Sequence, residues 1–255
     1  MYTNGWPKDD SVLDHADSIV IYSDGGPRHP FNDHLDRLEE LQKRGIGMAC
    51  IHYGVEVPIG PSGEAFKRWT GGYFETDWSV NPHWTGTFDE FPDHPITRGV
   101  KPFTVNDEWY YHMRFAEEMQ GVTPILSDLP PSSTLVKENG SLARKDGAHS
   151  NNPHVRAAVL ERKEPQHVAW ARVRKDGGRG FGFTGGHYHW NWGNRNFRTL
   201  VLNAIAWTAH AEVPADGIVS KDIGMDQLMV NQDEKVPGKF NPDRIQAMLD
   251  EWNGE

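Results

Sequence analysis

Three short segments carry residue types and spacings that could do chemistry. In Cys50-Ile-His52-Tyr-Gly54 small residues sit two before and two after the histidine. That is the spacing of a nucleophile elbow, a strained strand-to-helix turn that thrusts one side chain outward. Here the outward residue is a histidine, and one that merely satisfies its hydrogen bonds at a strand end fits the pattern equally. Cys50 would act as a nucleophile only if exposed and with a lowered pKa. Asn106-Asp-Glu-Trp-Tyr-Tyr-His112 sets an acidic pair before aromatics and a histidine. Glu108 and His112 would share a face on a helix, but the aromatic run suits a strand or an irregular loop. Gly185-Gly-His187-Tyr-His189-Trp-Asn-Trp-Gly193 places two histidines one residue apart, on one side of the chain if it is extended. Its glycines would let a ligand approach the backbone, and core packing explains it poorly.

The elements that must position these segments are read from apolar patterning. Asp17–Tyr22 and Gly45–Ile51 read as buried parallel strands, and Asn32–Arg44, with Leu35, Leu38 and Leu41 at helical spacing, as the helix between them. A strand, a helix and a strand in that order imply a right-handed crossover and a parallel sheet with helices on its faces. Val122–Leu126, Gln166–Ala171 and Gly180–Thr184 read as further strands, and residues 195–210 as a helix with an apolar stripe. Glu56–Arg114, rich in Pro, Gly and aromatics, is expected to be long loops with one or two short strands, and 137–155 an exposed excursion. Residues 1–210 are expected to form one domain, and 211–255 a tail ending in a helix over Asn241–Trp252. The opening Met1-Tyr-Thr-Asn-Gly-Trp-Pro7 reads as a loop before a second strand, so the domain is expected to lack its N-terminal strand.

Composition narrows the partners. The chain has 255 residues and a formal charge of −10, which disfavours nucleic acid and anionic membrane because no basic stripe offsets the repulsion. A neutral small molecule fits better, and ten Trp suit flat-faced ligands as well as a core. The one cysteine excludes an intramolecular disulfide. Without an apolar run of membrane length or a signal-peptide pattern the expectation is a cytoplasmic protein, with export open if the start is truncated. A homo-oligomer is left open.

The order of the motifs carries a resemblance. Gly-Met-Ala-Cys-Ile-His52, the stretch from Gly71 to Trp84, Asp93-His-Pro-Ile-Thr-Arg-Gly99, the Asp107-Glu108 pair and Gly186-His187 together resemble the ThuA-like (trehalose utilisation) family over about residues 15 to 210. The resemblance implies a fold similar to class I glutamine amidotransferases: a flavodoxin-like three-layer α/β/α sandwich with a mostly parallel sheet, here with long aromatic-rich loops. It sets His52 where those enzymes keep their cysteine and His187 where they keep its partner histidine. Without that thiolate, glutamine amide transfer is not expected, and Cys50 is a remote substitute.

What the mapping leaves is His52, Glu108 and His187, a set suited to a divalent metal such as zinc or to acid/base work. His189, His112 and His83 are spare ligands. The family's link to disaccharide use implies a carbohydrate or 3-keto-sugar substrate. Trp78, Trp84, Trp109, Tyr110, Trp190 and Trp192 are then candidates to line a pocket, with Asp107, Asn191 and Arg114 to bond hydroxyls, and His112 and His189 beside them. The resulting expectation is an enzyme acting on a glycoside, a disaccharide or a keto-sugar derivative by hydrolysis, elimination or isomerisation. A non-catalytic carbohydrate-binding or assembly module on the same fold is the alternative.

Overall fold

The structure is a computed structural model, and it describes residues 5–144, 149–230 and 240–254. Among the described residues nine strands run in chain order: β1 Ser18–Tyr22, β2 Gly47–Ile51, β3 Gly72–Tyr73, β4 Trp84–Phe88, β5 Phe103–Asp107, β6 Arg114–Phe115, β7 Val122–Asp128, β8 Gln166–Val173 and β9 Arg179–Phe183. The α-helices among the described residues are α1 Leu35–Lys43, α2 Pro61–Trp69, α3 Pro153–Arg156, α4 Arg195–Thr208, α5 Met225–Leu228 and α6 Pro242–Asn253.

The main sheet has five strands in the order β1-β2-β9-β8-β7. β1, β2 and β9 pair in parallel, while β8 runs antiparallel to both β9 and β7, so every strand but β8 points the same way. This is a mixed, mostly parallel α/β sheet. β2 is buried along its whole length, and its alternation divides the core between two faces. Met48 and Cys50 pack with Leu38 and Leu41 of α1 and Phe66 and Trp69 of α2. Ala49 and Ile51 pack on the other face with Phe181, Phe183 and the α4 residues Phe197, Leu200 and Ala204. Each of these large side chains contributes about 1.5–3 kcal/mol by leaving water.

Local sequence sets the helix ends. The Asn194 side chain accepts from Phe197 N at 3.1 Å to start α4, and the Asn241 side chain accepts from Arg244 N at 3.0 Å to start α6. α2 begins with Pro61 just after Gly60 and buries Ala65, Phe66 and Trp69. It corrects the reading of 56–114 as loops: Gly and Pro masked a short apolar stripe. β4 and β5 form an antiparallel ribbon, and each alternates buried and exposed residues.

Two further segments bear on the expectations. Within 137–155, residues 137–144 are mostly exposed as expected and 145–148 lie outside the described residues, but the segment after them is anchored, with His149, Ser150, Asn152 and Val155 buried and Asn151, Pro153 and His154 exposed. Val155 enters the core, and Asn152 donates to the carbonyls of Asp77 and Trp78. In 211–255, residues 231–239 lie outside the described residues, and the expected terminal helix is present as α6, which packs Ile245 and Leu249 with Leu228 against Trp190 and Trp192. No helix among the described residues is long and apolar enough to cross a membrane.

Candidate functional site

Three chain segments deliver side chains to one end of the sheet. β2 runs into a 3₁₀ turn, His52–Val55, in which His52 holds φ +51°, the left-handed region that costs a non-glycine residue about 1–2 kcal/mol. The small neighbour Gly54 permits the turn, because a Cβ there would lie 3.1 Å from the carbonyl oxygen of Ile21. β5 ends at Asp107 and hands the chain to Glu108. β9 ends at Phe183, and Gly186, at φ +107°, turns the backbone so that His187 faces the elbow.

The turn at 186–188 is clamped from below by Asp107, which is fully buried. One of its oxygens accepts from the backbone N–H groups of Glu108 (2.8 Å), His187 (3.0 Å) and Tyr188 (3.3 Å). The other accepts from Gly186 N (2.7 Å) and Asn191 Nδ2 (2.9 Å). The Tyr22 hydroxyl adds a 2.5 Å bond to the Gly186 carbonyl. Asp107 therefore builds the site rather than binding substrate, and Asn191, which also donates to the Asn106 carbonyl, belongs to the same clamp.

The donor atoms of His52, Glu108 and His187 converge. His52 Nδ1 donates to the Thr184 carbonyl at 2.9 Å, which aims the Nε2 lone pair at the other two residues. His52 Nε2 lies 3.3 Å from His187 Nδ1 and 3.6 Å from Glu108 Oε2, and His187 Nδ1 lies 3.0 Å from Glu108 Oε2. Asn81 Nδ2 donates to the second Glu108 oxygen at 3.1 Å, with His83 Nε2 3.9 Å from it. The Tyr110 hydroxyl is 3.3 Å from His52 Nε2.

Electrostatics follow from this packing. Burial pushes His52 below its ordinary value, partly offset by the Thr184 carbonyl and the charges of Asp107 and Glu108. The hydrogen bond to Glu108 raises His187 against its desolvation. Burial opposes ionisation of Glu108, but the His187 hydrogen bond and the nearby histidine charges outweigh it and hold the carboxyl below the usual range. Burial raises Tyr110, leaving a protonated hydroxyl at neutral pH.

The cluster opens on a cleft of about 520 Å³ walled by Tyr53, Phe74 and Tyr110 and by the polar side chains of Ser79, Asn81, Asp77 and Arg144. The sequence reading did not single out this far wall. Several residues that it expected there lie elsewhere. Trp84 and Trp109 are core residues, their indole N–H groups donating to the carbonyls of Trp109 and Val105. Trp78 is covered by the Arg114 guanidinium, 3.5 Å from its ring centroid, and flanked by His112 and His154. His112 bonds the Trp78 carbonyl, and Arg114 pairs with both Glu75 oxygens. Trp192 packs against Phe197, Trp190 stacks on Tyr188, and His189 is exposed on the same turn. Cys50 is buried on the α1/α2 face, and burial pushes its thiol up, so it offers no thiolate.

The site is thus a pair of imidazoles, one on the turn after β2 and one on the facing turn after β9, with the Glu108 carboxylate between them, at one end of a mixed, mostly parallel α/β sheet. The family model described as trehalose utilisation, ThuA, matches residues 4–208, and the chain belongs to that family. A solved structure of a ThuA-like protein from Bacteroides uniformis is similar in fold, with a TM-score of 0.51 and 15% identity over 79% of this chain and 75% of that one. No curated protein matches.

Proposed function

We propose that the chain processes carbohydrate, acting on a glycoside, a disaccharide or a 3-keto-sugar derivative at His52, Glu108 and His187, which together hold a divalent ion such as zinc. The spacing of the three donor atoms carries the metal reading. A tetrahedral ion bonded at about 2.0–2.1 Å spaces its ligands by about 3.3 Å, against the 3.0, 3.3 and 3.6 Å observed. The tautomer lock on His52 by Thr184 is the outer support such ligands usually have. The family's description supplies the carbohydrate, and the polar far wall suits a hydroxyl-rich ligand.

When bound, the ion would polarise a substrate oxygen and make water more acidic. The chain's own groups do the rest. Asn81 keeps one Glu108 oxygen occupied so that the other faces the imidazoles. Tyr110 presents a hydroxyl donor beside the cluster, and Phe74 and Tyr53 offer apolar surface to a sugar ring.

Metal analysis of purified protein, paired with a turnover screen on glycosides and 3-keto-glycosides, tests the reading. Folded His52→Ala and His187→Ala variants should lose both metal and turnover. Full turnover by both on every substrate that the wild type accepts would overturn the assignment. Saturable quenching of Trp fluorescence by sugars, with neither metal nor product, would favour the binding module instead.

A further inference from the structure

Two carboxylates of the cleft have no part in the cluster, the exposed Asp77 and the half-buried Glu56. Glu56 follows the elbow directly, capping the His52–Val55 turn, and lines the same cleft as His52, Glu108 and His187. Its backbone is fixed twice: its carbonyl accepts from Gly26 N at 2.8 Å, and the residue bridges to Phe74 in parallel register. Gly26, at φ +59°, leaves the side chain its room, since a Cβ there would lie 3.1 Å from Glu56 Oε1. The side chain is half-buried, and among the described residues its carboxylate enters no ion pair or hydrogen bond. A rigidly placed carboxylate that is partly stripped of water and unpaired by protein is unfavourable unless a ligand uses it.

We propose that Glu56 is the proton-carrying residue of this site, giving a proton to the leaving oxygen of a glycoside held at the His52, Glu108 and His187 cluster. This rests on the function proposed above. The glycosidic C–O bond breaks with its electron pair on the leaving oxygen, which takes the Glu56 proton. Water forms the new C–O bond, and the proton it sheds returns to the Glu56 carboxylate, so nothing is oxidised or reduced. Burial, and after it the charge of Glu108, pushes Glu56 up to about 7. Burial is the larger of the two causes. Glu108, Tyr110 and Tyr53 are the titratable groups that feel its charge.

The test is Glu56→Gln, with Glu56→Asp as the conservative control, assayed on methyl and 4-nitrophenyl glucosides and on their 3-keto derivatives. Nitrophenolate leaves without a proton, and methoxide does not. Glu56→Gln should lose about 10²–10⁴-fold on the methyl substrates, change little on the nitrophenyl ones, and keep its metal content. Glu56→Asp should recover part of the loss. Infrared difference spectra of the wild type should show a carboxyl that titrates through neutrality, absent in Glu56→Gln. Equal losses on both leaving groups, no loss on either, or no such carboxyl band would overturn the proposal and leave the function reading standing. A wild type that releases nothing from any of these glycosides overturns the function reading and this proposal with it.

Discussion

Replacing Asp107 by Asn tests whether the buried clamp holds the site together. The carboxylate accepts five hydrogen bonds, three at one oxygen and two at the other. An asparagine of the same shape can offer its oxygen to one set only, and its amide then points N–H groups at the donors of the other set. At least two bonds to a charged acceptor are lost, each worth about 1.5–3 kcal/mol, and their donors stay buried without a partner. Because such losses are not additive, the expected destabilisation is about 3–5 kcal/mol, a large fraction of an ordinary domain's stability. Urea unfolding monitored by Trp fluorescence measures it as a lower midpoint at unchanged slope. Since the clamp fixes the 186–188 backbone, metal uptake should weaken in the variant under conditions where it is still folded. A variant within about 1 kcal/mol of wild type would refute the reasoning.

Other substitutions separate core from cleft. Trp109→Ala should cost about 3–5 kcal/mol of stability, because the ring is wholly buried; Trp109→Phe should leave sugar affinity unchanged in a titration, where a weaker affinity would put the ring back at the ligand. Gly182→Ala would set a Cβ 2.1 Å from the Trp170 ring, which is anchored by its N–H to the Thr70 carbonyl. The overpacking should cost about 1–3 kcal/mol in denaturant titration. His29 donates from Nε2 to the Gly54 carbonyl and accepts the Phe31 N–H at Nδ1, and burial lowers it to about 4. The unfolded chain therefore takes up the proton first, so stability present above about pH 6.5 is lost as pH falls towards about 4, by about 3 kcal/mol. In His29→Asn that part of the acid limb should flatten, and an unchanged limb would exclude His29 as its source.

Much of the fold was legible because local signals agreed with global ones. The apolar runs of β2 and β9 and the stripe of α4 are buried on the faces that their periodicity implies. α2 was hidden because Gly60, Pro61 and Gly63 outweighed a stripe of only Ala65, Phe66 and Trp69, although Pro at the first helical position was itself a signal. The direction of β8 depends on pairing between distant segments, which periodicity does not report. At the site, His52, Glu108 and His187 stood in motifs marked by type and spacing, and the family resemblance joined them into one set. The fate of Asp107 was not legible in this way, since three of its five partners are backbone N–H groups of a turn distant in sequence, and no residue type marks those. Nor did motif spacing distinguish Trp109 in the core from Tyr110 in the cleft, where neighbouring side chains point in different directions.

The cluster draws its donors from three strand ends that meet only after the sheet has been assembled. The unfolded chain cannot pre-form it, because closing loops of this length costs entropy that three ligand bonds alone must offset. If the cluster holds the proposed ion, this scaffold, unlike a small zinc domain that folds around its metal, would be loaded as an already folded apoprotein. Chelation should then shift the thermal midpoint in proportion to the logarithm of ion concentration, while the circular dichroism of the stripped protein remains that of a folded α/β domain.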